Sequence, residues 1–169
     1  FGGDKLLAPV PGASALGVAT LRNLLAANLP VLAVVRPEDA SLRDLLSAEG
    51  ADVVACPDAK LGMAHSLACA IRTSAEVDGW LVALGDMPRV RPTTISAIVA
   101  RLRDPTVIVI PFYRGERGNP VAIGGAYRKE LMELTGDVGA RALFQRHAAR
   151  VVRFEVDDPG VLADVDTPD

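Results

Sequence analysis

Short apolar runs alternate with longer segments of helical period along this chain. The apolar runs, rich in valine, predict strands, and the longer segments predict amphipathic helices. The predicted strands are Val31–Val35, Asp52–Cys56, Trp80–Leu84, Thr106–Pro111, Pro120–Ile123 and Val151–Val156. The predicted helices are Leu16–Ala27, Ser41–Ala48, Ala64–Ala75, Pro92–Arg103, Gly125–Leu134 and Val138–Ala148. This alternation predicts an α/β fold, a Rossmann-like three-layer sandwich around a mainly parallel sheet.

The residues at the ends of the predicted strands and helices indicate where a ligand site would lie. Ser41 is the predicted N-cap of its helix, and Gly50 follows directly after that helix ends. A parallel α/β sheet binds its ligands at the carboxyl ends of its strands. The loops that follow the strands are therefore the first place to look for reactive side chains.

The composition limits the classes of protein and ligand. The 169 residues are 50% hydrophobic, enough for one core, and we expect a single domain over residues 1–169. No apolar run reaches the roughly 18 residues of a membrane span, which predicts a soluble protein without a membrane partner. The net charge of −3 and the low aromatic content argue against a nucleic-acid partner. A phosphate-bearing small molecule fits this composition better.

The cysteines and the first residues bear on the compartment and on the start of the domain. Cys56 and Cys69 are too far apart for a CxxC redox or zinc motif, and no signal peptide is evident. We therefore expect a cytoplasmic protein. The sequence opens with Phe1 and two glycines and has no initiator Met. This start predicts that an N-terminal segment is missing.

The strongest single motif is the Gly-Asp-Met-Pro segment that follows the predicted strand Trp80–Leu84. Five apolar residues predict a buried strand, so Asp86 falls at the edge of the sheet where ligands bind. Gly85 lets a ligand approach the backbone, and Pro88 prevents the strand from continuing. A carboxylate at this position can hold Mg²⁺ together with substrate phosphates. Alternatively, Asp86 caps the following turn.

Two other segments have features of phosphate or nucleotide sites. Gly2, Gly3 and Lys5 can cradle a phosphate with backbone N–H groups and one positive charge. The alternative is a glycine turn with a solvated lysine. Gly62 and Ser66 lie near a predicted helix N-terminus, which favours anions and hydrogen-bonding ligands.

The loop before the fifth predicted strand carries two arginines and two glycines. Arg114 and Arg117 can clamp an anionic acceptor, because guanidinium groups match phosphate oxygens. The alternative is an exposed polar hairpin.

The last two candidate segments also have structural explanations. In the segment Gly136–Arg141, Gly136 is explained as a helix C′ residue and Asp137 as an N-cap. Near the end of the sequence, Asp164 and Asp166 lie on the same side of an extended chain and can complete a metal site with Asp86. The alternative is a plain acidic tail.

In their order along the chain, these motifs resemble the MobA-like nucleotidyltransferases, and especially the molybdenum cofactor cytidylyltransferases. The resemblance covers nearly the whole chain. Its six motifs are Gly2–Leu7, Gly62–Leu67, Gly85–Pro88, Gly118–Val121, Gly136–Arg141 and Asp164–Asp169. The fold implied is of the nucleotide-diphospho-sugar transferase type. Asn119 departs from the family, because these cytidylyltransferases often have His there.

The resemblance implies a reaction and a role for each candidate residue. Molybdopterin, or its molybdenum-loaded form, attacks the α-phosphorus of CTP and pyrophosphate leaves, with Mg²⁺ as cofactor. A recipient molybdoenzyme or its chaperone is a possible further partner. The implied catalytic residues are Lys5 and Asp86, and both also bind the nucleotide together with Gly2, Gly3, Gly62 and Ser66. The implied acceptor-binding residues are Gly118, Asn119 and Pro120. The implied metal ligands are Asp86, Asp164 and Asp166.

Two other functions stay open at this stage. The first is a nucleotidyltransferase that uses GTP or another nucleotide, or that acts on a different phosphorylated metabolite. By the resemblance, the family's first strand and the first half of its glycine-rich loop are missing from this sequence. That loop separates cytidylyl from guanylyl transfer in the family, so the base preference is open. The chain can also be a non-catalytic homologue that binds the cofactor and passes it to a partner.

Overall fold

The computed structural model describes residues 3–165. The α-helices are α1 (Gly3–Leu7), α2 (Leu16–Ala26), α3 (Ala40–Ala48), α4 (Met63–Thr73), α5 (Pro92–Val99), α6 (Arg128–Met132) and α7 (Arg141–Arg146). The strands are β1 (Leu32–Val35), β2 (Asp52–Ala55), β3 (Gly79–Val82), β4 (Ile108–Tyr113), β5 (Glu116–Arg117), β6 (Val121–Gly124) and β7 (Val151–Glu155). Short 3₁₀ helices cover Pro57–Leu61, Gly125–Tyr127, Ala148–Arg150 and Pro159–Leu162.

All six predicted strands are present, and the predicted α/β class is confirmed. The strands form a two-stranded sheet, β1-β2, and a five-stranded sheet in the order β3-β6-β4-β5, with β7 also paired to β4. The pairs β1-β2 and β4-β7 are parallel. The pairs β3-β6, β4-β5 and β4-β6 are antiparallel.

The five-stranded sheet is thus mixed, which corrects the expectation of a mainly parallel sheet. A parallel pair needs a crossover of about a dozen residues. The chain instead leaves β4 through a tight turn at Arg114 and Gly115, whose φ angles are 49° and 81°. The few residues between β4 and β6 allow an antiparallel return only. As a result, β6 lies between β3 and β4 and brings its first residues to the edge where Asp86 follows β3.

Several helix predictions need correction. The segment Gly3–Leu7, interpreted from sequence as a glycine-rich loop, is a short helix. Helix α3 begins one residue before Ser41, and its N-cap is Asp39, whose side chain accepts a hydrogen bond from Arg36. The predicted helix Val138–Ala148 is shorter and begins at Arg141, because Gly139 has a φ of 58° and interrupts the helical backbone.

The core is divided between the two sheets. One cluster packs α2 and α3 against the two-stranded sheet through residues such as Val18, Leu42 and Val35. A second packs α4, α6 and α7 against the five-stranded sheet through residues such as Leu131 and Ile123. Between residues 3 and 165, no helix is long and apolar enough to cross a membrane.

Candidate functional site

Asp86 lies in the turn that follows β3, as the sequence predicts. Strand β3 ends at Val82, and the Asp86 residue is only 6% exposed. Gly85 packs closely against helix α1, because a Cβ on Gly85 would lie 3.2 Å from Leu6 Cδ1. Helix α1 therefore packs against the Gly-Asp-Met-Pro turn. The two segments predicted to hold phosphate and metal form one site.

The central contact of the site joins Lys5 and Asp86. Lys5 Nζ donates a hydrogen bond of 2.9 Å to Asp86 Oδ2. Both side chains are largely withdrawn from solvent, with exposed fractions of 14% for Lys5 and 9% for Asp86. An ion pair shielded in this way is stronger than a surface pair, because water screens it less. The sequence predicts both residues, but not this pairing.

Asp164 is brought beside Asp86 by a backbone contact. The N–H of Val165 donates to the carbonyl oxygen of Asp86 at 2.9 Å. Asp164 lines an open cleft of about 260 Å³ together with Leu84, Met87, Glu116, Arg117, Asn119, Val161 and Leu162. Leu84 and Met87 flank Gly85 and Asp86 in the sequence, but Lys5 and Asp86 are not among the residues that line the cleft.

The carboxylates have the donor chemistry that a divalent metal ion shared with a substrate would need. Asp86 and Asp164 offer hard oxygen ligands, and Mg²⁺ is commonly bound by one or two carboxylates plus substrate phosphates and water. Among the residues that the structure describes, no three acidic, His or Cys side chains cluster as a closed protein cage. Asp166, the other predicted ligand, lies outside the described residues, as does Gly2.

Gly118, Asn119 and Pro120 directly precede β6, and of the three Asn119 lines the cleft. The Gly118 N–H donates to Pro111 O at 2.8 Å, and the Asn119 N–H donates to Val161 O at 2.9 Å. The peptide bond between Asn119 and Pro120 is cis. The two hydrogen bonds tie the segment to β4 and to the 3₁₀ helix Pro159–Leu162, and Asn119 lies in the wall of the cleft.

Replacement of Gly118 by Ala is expected to distort this wall. The added Cβ would lie 2.5 Å from Val161 O and 2.8 Å from Val161 Cβ. Such overpacking costs about 1–3 kcal/mol. We expect Gly118→Ala to lower the free energy of unfolding by that amount in chemical denaturation and to raise the KM for the acceptor.

Gly115→Ala is the matched comparison in the same hairpin. A Cβ on Gly115 meets nothing within 4 Å, although its φ of 81° strains an alanine. This variant should lose about 1–2 kcal/mol of stability and keep the acceptor KM of the wild type. Equal acceptor KM values for both variants would show that Gly118 does not shape the acceptor side of the cleft.

The motifs that contain Gly62 and Gly136 meet in space. Gly62 has a φ of 135°, and a Cβ on it would lie 2.4 Å from Gly136 O. The N–H of Ala64 donates to the same oxygen at 3.1 Å. Ser66 lies one turn into α4, where its N–H donates to Gly62 O at 3.3 Å. Close packing of these two motifs explains why a glycine occupies position 62.

The sequence-based assignment of Gly136 as a helix C′ residue and of Asp137 as an N-cap is wrong. Helix α6 ends at Met132, so Gly136 is not its C′ residue. The N-cap of α7 is Ala140 and not Asp137. Gly136 and Gly139 instead form turns with φ angles of 90° and 58°. The motif needs its glycines for the connection between the helices and for the contact with Gly62.

The sequence analysis did not distinguish Arg114 from Arg117, and it did not predict a disulfide. Of the two loop arginines, Arg117 lines the cleft, whereas Arg114 does not and instead has its guanidinium carbon 5.2 Å from the Tyr113 ring centroid. Cys56 and Cys69 form a disulfide that encloses Gly62 and Ser66. The spacing of the cysteines gave no signal for this bond, because disulfide pairing depends on the distance in the folded chain.

Comparisons with known proteins identify the family and the fold of the chain. The family model of the MobA-like NTP transferase domain matches residues 1–151. A search of curated proteins finds no match. Rv0371c from Mycobacterium tuberculosis H37Rv, in complex with manganese, is a similar solved structure with 28% identity and a TM-score of 0.82, covering 96% of this chain and 87% of that chain.

Two further solved structures have the same fold. The Rv0371c homologue from mycobacterium sp. strain JC1 is 27% identical, with a TM-score of 0.83 over 96% of this chain and 82% of that chain. A nucleotidyl transferase from Methanothermobacter thermautotroptrophicus is 24% identical, with a TM-score of 0.81 over 95% of this chain and 78% of that chain. The fold is that of the nucleotide-diphospho-sugar transferases. Because the family model spans well over half of its length, the chain belongs to the MobA-like NTP transferase family and is a nucleotidyltransferase.

Proposed function

We propose that the chain is one cytoplasmic domain that transfers CMP from CTP to molybdopterin, or to its molybdenum-loaded form, with release of pyrophosphate. The observation that carries this proposal is the shielded Lys5–Asp86 pair, together with a cleft that contains Asp164 and is lined by Leu84 and Met87, the chain neighbours of the Gly85–Asp86 turn. One positive charge and two carboxylates beyond the end of the half-buried strand β3 suit a triphosphate and a divalent metal. Transfer to an acceptor then needs space beside them, which the cleft supplies.

In this proposal the two partners of the ion pair act on different parts of the nucleotide. Lys5 binds the triphosphate and neutralises part of its charge. Asp86, with Asp164 or Asp166, would hold Mg²⁺. The metal supplies positive charge to the phosphate oxygens and to the leaving pyrophosphate. The manganese in the structure of Rv0371c supports a divalent metal in proteins of this fold.

The remaining predicted residues position the substrates. Gly2 and Gly3 contribute to the triphosphate site, and Gly62 and Ser66 lie near the base and the ribose. Gly118, Asn119 and Pro120 border the acceptor. A recipient molybdoenzyme or its chaperone would then take the product. Each of these assignments is part of the proposal.

The proposed reaction needs little covalent participation by protein side chains. An oxygen of the acceptor phosphate attacks the α-phosphorus of CTP and forms a new P–O bond. The bond between the α-phosphorus and the bridging oxygen to the β-phosphorus breaks, and pyrophosphate leaves with its electrons. Because the attacking phosphate is already an anion, no general base is required. Positioning and charge neutralisation are sufficient.

The direct test is pyrophosphate release with Mg²⁺ and molybdopterin, measured separately with CTP, GTP, ATP and UTP. We expect selective release with CTP. Release with GTP or another nucleotide would change the nucleotide assignment and keep the mechanism.

A second arm of the test separates the remaining functions. If molybdopterin supports no release with any nucleotide, a panel of phosphorylated metabolites replaces it as acceptor. Molybdopterin binding without Mg²⁺ and without pyrophosphate release would identify a non-catalytic carrier and contradict the proposed reaction.

A further inference from the structure

Arg117 occupies a distinctive position in the wall of the cleft. It is the last residue of β5 and pairs with Phe112 of β4 across an antiparallel ladder. Its guanidinium carbon lies 4.9 Å from the ring centroid of Phe144 on α7. A guanidinium held against an aromatic ring has fewer orientations to lose when it binds a ligand. Arg117 is therefore a pre-positioned cation that faces the cleft.

A second arginine lies close to this cation. Arg141 begins α7, and Phe144 follows three residues later, which places both on the same face of the helix. The pKa of the Arg117 guanidinium is lowered from its ordinary value, first by loss of contact with water and then by repulsion from the charge of Arg141. Both arginine residues are exposed, Arg117 lines the cleft, and its guanidinium lies against Phe144, one helical turn after Arg141.

No carboxylate compensates these two charges within residues 3–165. Neither Arg117 nor Arg141 has an acidic group within 4.0 Å, whereas Arg146 of the same helix pairs with Glu130 at 2.6 Å. Glu116 and Asp164 also line the cleft, but neither forms an ion pair with these arginines. Two adjacent guanidinium groups without a counter-ion are stabilised by an anion that bridges them. A phosphate monoester, with two negative charges and three free oxygens, matches them.

We propose that Arg117 and Arg141 bind the phosphate monoester of the acceptor, each through one or two of its oxygens. A third oxygen then stays available to attack the α-phosphorus. This inference rests on the proposed function, since it assumes that the acceptor enters this cleft. Arg141 then has a role in binding phosphate, whereas its motif was explained from the sequence only as a helix end and a helix start. Of the two loop arginines, the proposed phosphate ligand is Arg117 and not Arg114.

The test uses phenyl phosphate as the probe and measures its Kd by calorimetry. The nucleotide site is first filled with Mg²⁺ and α,β-methylene-CTP, which cannot release pyrophosphate, so that the probe does not bind at Lys5. Loss of a charge-assisted hydrogen bond costs about tenfold or more in Kd. We expect Arg117→Gln and Arg141→Gln each to weaken phenyl phosphate binding by at least about tenfold, while the Kd of the nucleotide analogue stays unchanged.

Arg146→Gln is the matched control, because it removes the same charge from the same helix outside the cleft. Its ion pair is exposed, with 63% of the Arg146 side chain accessible, so its loss costs little. Arg117→Lys and Arg141→Lys keep the charge and remove the planar fork, and intermediate Kd values are expected. These variants also serve if the glutamine variants fail to fold.

Three outcomes are distinguishable. Wild-type phenyl phosphate affinity in both folded arginine variants would overturn the two-arginine site and leave the proposed reaction intact. An equal loss of phenyl phosphate affinity in Arg146→Gln would show that the effect comes from net charge alone, and it would also overturn the two-arginine site. Failure of the wild type to bind any α,β-methylene nucleotide would count against the proposed function itself.

Discussion

Asp86→Asn is expected to slow pyrophosphate release by about a hundredfold or more, the scale of losing one central electrostatic group in an active site. Asparagine keeps the shape of aspartate and removes its charge. The neutral amide is a poor ligand for Mg²⁺, and it no longer balances the ammonium group of Lys5 at 2.9 Å. The rate is to be measured at saturating Mg²⁺ and again across a magnesium titration, where the variant should need more metal.

The ion pair also contributes to stability, so the rate must be separated from folding. Thermal unfolding of Asp86→Asn establishes whether the variant is folded at the assay temperature. Asp44→Asn removes the same charge from an exposed position on α3 and should turn over at the wild-type rate, because the Asp44 side chain is 74% exposed. Normal turnover by folded Asp86→Asn would remove Asp86 from the metal site.

The sequence located the elements of this fold more reliably than their arrangement. Strands were predictable where a short run is apolar at every position, as in Val31–Val35. The direction of β6 was not, since it depends on the tight turn at Arg114 and Gly115, whose positive φ angles are a property of the folded loop. Helix α1 was missed because Gly3–Leu7 is too short for a helical period to be recognised.

The site shows the same division. Asp86 was predictable from its place after a buried strand, and the approach of Asp164 followed from the resemblance to known nucleotidyltransferases. The pairing of Lys5 with Asp86 joins residues 81 positions apart and depends on how α1 packs against Gly85. The contact of Arg117 with Phe144 depends likewise on the placement of α7 beside β5. Such contacts arise from tertiary packing, and local patterns do not encode them.

Reduction of the Cys56–Cys69 disulfide is expected to lower the free energy of unfolding by about 3 kcal/mol. The bond joins residues 13 positions apart, with their Cα atoms 6.4 Å apart. Closing a loop of about this length removes conformational entropy from the unfolded chain, worth about 3 kcal/mol in the chain-entropy model. For a chain of this size, the loss corresponds to a fall in Tm of about 6–12 °C. Thermal unfolding with and without dithiothreitol measures it.

The double variant Cys56→Ala, Cys69→Ala is the control, because dithiothreitol should not change its Tm. Since the effect acts on the unfolded chain, the folded reduced protein should bind Mg²⁺ and α,β-methylene-CTP with the affinity of the oxidised protein. A weaker affinity on reduction would mean that the bond also holds the segment with Gly62 and Ser66 in its binding geometry. An unchanged Tm would show that the disulfide does not constrain this protein in solution. A reducing cytoplasm favours the dithiol, so in that compartment the enzyme would operate with the lower stability that this experiment measures.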